Sequence, residues 1–178
     1  MTDGTGSSGG STTTGPGQAA PQGAPPEQAP VRQGSPAGPE EPAAVAGITE
    51  AHNRARAELG VPALTWSSEL ASVAEDWARR LAADGCGLQH RSDARYGENL
   101  YAIYGTSASP QEVVDSWVSE VADYNYKKNR CKGVCGHYTQ VVWRGSRRLG
   151  CAAARCSQGE VWVCNYDPPG NFVGERPY

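Results

Sequence analysis

Apolar residues in the first part of the folded region recur at helical spacing. Ile48, His52, Ala55 and Leu59 share one face, and Gly60, able to take the left-handed conformation, ends that pattern before the Val61-Pro62 break. Ser67 caps a second helix, with Glu69 in its first turn and Leu70, Val73, Trp77 and Leu81 as its stripe, until Asp84-Gly85 stops it. Ser109-Pro110-Gln111-Glu112 is a capping box with proline at the first helical position, and it starts a third helix carrying Val113, Trp117, Glu120 and Tyr124 on one side. The period then changes. From His137 the residues alternate, with His137, Thr139, Val141 and Trp143 on one face and Tyr138, Gln140, Val142 and Arg144 on the other. Alternation with β-branched and aromatic side chains predicts a strand that begins at His137. Two more strands, Arg148 to Arg155 and Val161 to Tyr166, join around Ser157-Gln158-Gly159.

Composition separates the chain into two parts. Residues 1–43 are almost wholly Gly, Ser, Thr, Pro, Ala and Gln, with too little apolar surface to offset chain entropy, so they read as a disordered linker. The remaining residues 44–178, roughly 135, suffice for one domain with one core. A net charge of −3 argues against nucleic acid as a partner, and no apolar run approaches a membrane span. The six cysteines all fall between Cys86 and Cys164, which in a small domain favours disulfides and an oxidising compartment. Met1-Thr2-Asp3-Gly4 has neither the basic nor the apolar region of a secretory signal. The two signals are reconciled by an extracellular protein whose signal or lipoprotein leader has been removed.

The hairpin places Cys151 opposite Cys164, Cys131 and Cys135 are close enough to close a small loop, and Cys86 is left for Cys156. Other pairings of six cysteines stay open. Each bond contributes roughly 2–4 kcal/mol. In a reducing cell, Cys131-x-x-x-Cys135-x-His137 would instead read as part of a zinc site, with no obvious fourth ligand.

Candidate chemistry rests on few residues. His52 lies on an apolar stripe with no acidic neighbour in sequence and reads as a satisfied core histidine. His90 and Glu98 lie in a polar stretch that reads as a loop, where functional residues concentrate. Glu120 falls between Trp117 and Tyr124, and a carboxylate placed there needs a cation or hydrogen-bond donor to meet it. Lys127, Lys128, Arg130 and Lys132 read as a solvated loop, with contact to an anionic surface as the lesser alternative.

Two segments, Cys135-Gly136-His137-Tyr138-Thr139-Gln140-Val141-Val142-Trp143 and Cys164-Asn165-Tyr166-Asp167-Pro168-Pro169-Gly170-Asn171, resemble the signature motifs of the CAP superfamily. Tyr96-Gly97-Glu98-Asn99-Leu100, Trp117-Val118-Ser119-Glu120 and the early His52-Asn53 segment, with arginines at Arg54 and Arg56, fit the same pattern. The resemblance covers about Ala44 to Tyr178 and points to the plant pathogenesis-related proteins of the first group. It implies an α+β fold, a three-layer α-β-α sandwich with a central antiparallel sheet and three disulfides. It also implies a cleft built from His90, Glu98, Glu120 and His137.

In that cleft the imidazoles of His90 and His137 would hold a divalent cation such as zinc or magnesium, with Glu98 and Glu120 orienting them. Two protein ligands make a weak site. The resemblance further implies a secreted module that binds sterol or another lipid, with antimicrobial activity; a monomer is expected, and Tyr101, Ile103 and Tyr104, in the loop after Glu98, are candidate apolar contacts, with ordinary packing as the alternative. An extracellular protein or a membrane surface is a further partner class. Two alternatives accompany it: a metal-dependent hydrolase or protease with Glu98 and Glu120 as catalytic groups, and a precursor that releases residues 168–178 as a signalling peptide.

Overall fold

The computed structural model describes residues 40–93 and 95–178; the linker expected over 1–43 lies, up to residue 39, outside them. Helix α1 runs Ile48–Glu58 and begins under a remote cap: the Glu41 carboxylate accepts from the backbone nitrogens of Gly47 (2.5 Å) and Thr49 (2.9 Å). It ends as the sequence indicates, with Gly60 at φ +63°. The second helix, α2 (Ser68–Ala83), is capped by the Ser67 side chain, and α3 (Pro110–Ser119) carries the complete capping box.

Four strands form one sheet in the order β1, β5, β6, β2: β1 is Thr65–Trp66, β2 is Gly97–Tyr104, β5 is Arg148–Cys156 and β6 is Gly159–Asp167. The three long strands are antiparallel, and the two-residue β1 adds a parallel edge. A separate two-stranded ribbon pairs β3 (Tyr124–Asn125) with β4 (Arg130–Cys131).

Alternation along β6 builds two cores. Val161 and Val163 pack with Leu100 under Ala74, Ala78 and Leu81 of α2. Trp162, Cys164 and Tyr166 point the other way, into Ile48, Val113, Val114, Trp117, Tyr138 and Val141. The result is the expected α-β-α sandwich. On α2 the expected stripe is rotated. Alanines 71, 74 and 78 with Leu70 and Leu81 are buried, while Val73 and Trp77 stay half-exposed. The helix lies so close that a Cβ on Gly150 of β5 would stand 2.2 Å from the Ala71 nitrogen, so small residues are needed on both sides.

The expected strand at His137 is not a strand. Residues Gly136–Val141 form a short helix, α4. Tyr138, Thr139, Gln140, Val141, Val142 and Trp143 are all buried, so the alternation read from the sequence has no wet face to match. The Glu98 stretch is likewise no loop: residues 97–104 are β2, with Asn99 and Leu100 buried. The third helix stops at Ser119, and Glu120–Asp123 forms a 3-10 turn, which takes Glu120 off the Val113/Trp117 stripe.

The three disulfides are Cys86–Cys156, Cys131–Cys135 and Cys151–Cys164, as expected. The Cys131 and Cys135 sulfurs are bonded to each other and cannot serve as zinc thiolates, which removes the zinc reading of that segment.

Candidate functional site

Glu120 stands where α3 gives way to the 3-10 turn, and it faces the N-terminus of α4. Its Oε2 accepts from the backbone nitrogens of His137 (2.9 Å) and Tyr138 (3.2 Å), and its Oε1 accepts from His137 Nδ1 (2.6 Å). One carboxylate therefore satisfies two orphan donors of a helix and fixes an imidazole, with its charge at the favourable end of the helix dipole. The His137 ring lies nearly parallel to Trp117, at an interplanar angle of 13°. The His137 and Glu120 side chains are mostly covered.

The opposite end of α4 is held by Arg56. This wholly buried guanidinium donates to the carbonyls of Pro62, Val141, Trp143 and Ser146 at 2.8–3.1 Å. Burial pushes its pKa down to about 10, and it still keeps its charge at neutral pH. A cation at the C-terminal carbonyls complements the acid at the other end.

His90 forms the second pair. Its Nδ1 donates to Glu98 Oε1 at 2.7 Å, and the Arg91 backbone nitrogen donates to the same oxygen at 3.1 Å. That bond to the carboxylate raises the His90 pKa above its ordinary value. The segment carrying His90 is pinned to α2 by Trp77 Nε1 donating to the Gln89 carbonyl and by Arg91 Nη1 donating to the Val73 carbonyl. This accounts for Trp77 standing half-exposed on the rim of the helix. The Glu98 side chain is 9% exposed, and its Oε2 is buried without a partner. It opens on a recess of about 210 Å3 shared with His90, Tyr96 and Asn165.

Alternation along β2 sends Glu98 and Leu100 toward α2 and Asn99 and Tyr101 toward α4, and Asn99 Nδ2 donates to the His137 carbonyl (3.1 Å) and to Tyr166 Oη (3.1 Å). Among the described residues, no three His, Cys, Asp or Glu side chains converge to hold a metal ion. The donor set nonetheless suits one. Each histidine gives its Nδ1–H to a carboxylate, which leaves Nε2 as the ligand atom, and the unpartnered oxygen of Glu98 is a site for positive charge.

His52 is wholly buried, as expected, and is the start of a polar chain. Nδ1 donates to the Ile48 carbonyl (2.8 Å) and Nε2 accepts from the Tyr166 hydroxyl (2.8 Å), which Asn99 links to His137. Desolvation lowers the His52 pKa to about 4 and raises that of Tyr166. Asn99 and Arg56 were not singled out from the sequence as site residues. The available signals were an asparagine inside an apolar strand, and an arginine four residues after His52 on the stripe of α1.

Tyr101, Ile103 and Tyr104 belong to β2 and not to a loop. Tyr101 and Ile103 point to one side of the sheet and Tyr104 to the other, where its hydroxyl reaches the Cys86 carbonyl (3.1 Å). They do not form one surface. The C-terminal residues are tied down: Tyr178 stacks on Tyr126 with centroids 4.7 Å apart and meets the Tyr138 hydroxyl at 2.9 Å, and the Pro177 carbonyl accepts from Arg144 N.

The layered fold and its disulfides define a class, and the chain belongs to it: the cysteine-rich secretory protein (CAP) family, whose model matches residues 49–166. Among its relatives are plant pathogenesis-related proteins. The chain is 52% identical over 129 residues to pathogenesis-related protein 1 of Arabidopsis thaliana, covering 72% of this chain and 78% of that one. It is 50% identical over 132 residues to pathogenesis-related protein 1A of Nicotiana tabacum, covering 72% and 77%. The solved structure of the venom allergen-like protein 4 of Schistosoma mansoni matches with a TM-score of 0.63 at 27% identity, over 74% of this chain and 91% of that one.

Proposed function

We propose that this chain is a secreted, defence-type module that binds a sterol or another lipid and carries a weak divalent-cation site at His90 and His137. The observation that carries the site is the pairing of each imidazole with its own carboxylate through Nδ1, at 2.7 and 2.6 Å. Glu98 and Glu120 orient the rings and add basicity to Nε2. The unpartnered Glu98 oxygen supports a cation on that side. A bound cation would supply Lewis acidity, and its affinity would be low with two imidazole ligands.

The apolar partner is supported by a recess of about 260 Å3 lined by Val45, Trp66, Ala71, Ala152 and Ala153. This is just under the usual range for small-molecule pockets of roughly 300–1,000 Å3, so it would take only part of a sterol. A binding role is favoured over thiol-dependent hydrolysis because all six cysteines are held in disulfides, which leaves no thiol as a nucleophile.

The test is binding of a labelled sterol and a labelled fatty acid to the oxidised chain, with and without zinc or magnesium. Saturable binding is expected, and any metal effect should vanish in a His90→Ala/His137→Ala double variant. Zinc titrations should tighten as pH rises, because the metal competes with a proton that Glu98 helps His90 to keep. Absence of saturable binding to either ligand, with and without metal, overturns the lipid-binding reading.

A further inference from the structure

We propose that the face made by the β3–β4 ribbon, the Cys131–Cys135 loop and the C-terminal segment docks onto an anionic lipid surface. These three stretches are joined laterally. Asn129 Nδ2 donates to the carbonyls of Gly174 (3.3 Å) and Glu175 (3.0 Å), and Arg176 donates to the carbonyls of Tyr126 and Lys127. Cys131, Cys135, Phe172 and Gly174 wall a common shallow recess of about 280 Å3.

Apolar side chains protrude from this face instead of packing under it. Val173 is 103% exposed, Val134 62% and Phe172 50%. Most large apolar side chains elsewhere in the described chain are buried, and these three outward ones sit on adjoining loops beside a cluster of cations. The ribbon and its loop carry the exposed cations Lys127, Lys128, Arg130 and Lys132, and the exposed Arg144 is bonded through its backbone to Pro177, against the acids Asp123 and Glu175.

The chain as a whole carries −3, so the acidic excess lies elsewhere and would be repelled by the surface that attracts this face. Single apolar tips ringed by flexible cations suit shallow insertion among headgroups, where each cation counts without a fixed partner geometry. A protein partner would call for a continuous apolar patch, which separate loop tips do not make.

The docking is independent of the sterol reading, and sterol-free vesicles keep the two apart. The full oxidised chain is floated with vesicles of phosphatidylcholine alone or of phosphatidylcholine with phosphatidylserine. It should rise only with the anionic vesicles, and should dissociate as salt goes from about 0.1 M to about 1 M and the screening length falls from about 10 Å to about 3 Å. Lys127→Glu/Lys128→Glu/Lys132→Glu should lower partitioning at least about a hundredfold, and Val173→Ser should lower it without changing the net charge. Equal binding to neutral vesicles, no binding to either, or salt-insensitive binding overturns the proposal. The vesicle-composition and salt arms use the unmodified chain and decide the matter whether or not the triple variant folds.

Discussion

Acidification from pH 6.5 to 4 should destabilise this protein through one residue, His52. The folded state holds His52 neutral. The Ile48 carbonyl can only accept, so Nδ1 carries the proton, and Nε2 must stay bare to accept from Tyr166. A second proton would remove that acceptor and place a cation in the core near buried Arg56. The folded pKa is accordingly lowered to about 4 from an ordinary 6.5. Between those values the unfolded chain binds a proton that the folded chain refuses, so stability falls as pH falls. At about 1.4 kcal/mol per unit, the gap amounts to about 3 kcal/mol.

His90 works in the opposite sense. Its folded pKa is raised, so its contribution is fully present below about 6.5 and is lost as pH rises through the folded value. The two are separated by comparing urea unfolding of the wild type and His52→Gln from pH 7.5 to 4; the variant should lose most of the slope between 6.5 and 4. Nitrogen-detected NMR of the wild type gives a direct reading, with His52 as the Nδ1–H tautomer down to about pH 4. An imidazole that titrates near 6.5 in the folded protein, or parallel slopes in the two chains, would refute the reasoning.

Three further expectations concern α4. Arg56→Met leaves the buried carbonyls of Val141 and Ser146 without a donor, and takes one of two donors from that of Trp143; it should cost at least about 3 kcal/mol by denaturant midpoint, with Arg56→Lys recovering only part. Glu120→Ala should cost about 2–3 kcal/mol and speed amide exchange at His137 and Tyr138; unchanged exchange would show that the carboxylate does not cap the helix. Gly97→Ala would place a Cβ 2.2 Å from Gln140 Oε1, an atom that accepts from Gly170 N, and should cost about 1–3 kcal/mol in thermal unfolding.

The parts of the fold that could be read from the chain were those with local causes. A capping box and a left-handed glycine act within a few residues of themselves, and a hairpin sets Cys151 opposite Cys164, so α1, α2, α3 and the β5–β6 hairpin with its disulfide followed from spacing, whereas Cys86–Cys156, 70 residues apart, was left by elimination. By contrast, α4 has non-local causes. Its N-terminus is satisfied by Glu120 and its C-terminus by Arg56, and burial on every side hides its period, so β propensity gave the wrong element. Strand β2 failed in a similar way: Glu98 and Asn99 look like loop residues until His90, Tyr166 and the His137 carbonyl are seen to satisfy them. The histidines and acids could be suspected individually. Their pairing came from resemblance, since no sequence period relates Glu120 to His137 across 17 positions.

Helix α4 is six residues long, well below the roughly 12–15 at which an isolated helix begins to persist in water. Nucleation alone would never hold it. The segment bearing His137 is helical only while α1 delivers Arg56 and the end of α3 delivers Glu120, so the imidazole has no prearranged position in a partly folded chain. Partial unfolding that frees either remote charge should disperse this half of the cleft before the large core opens. The chemical shift of His137 therefore becomes a gauge of whether three separate pieces of chain are assembled at once.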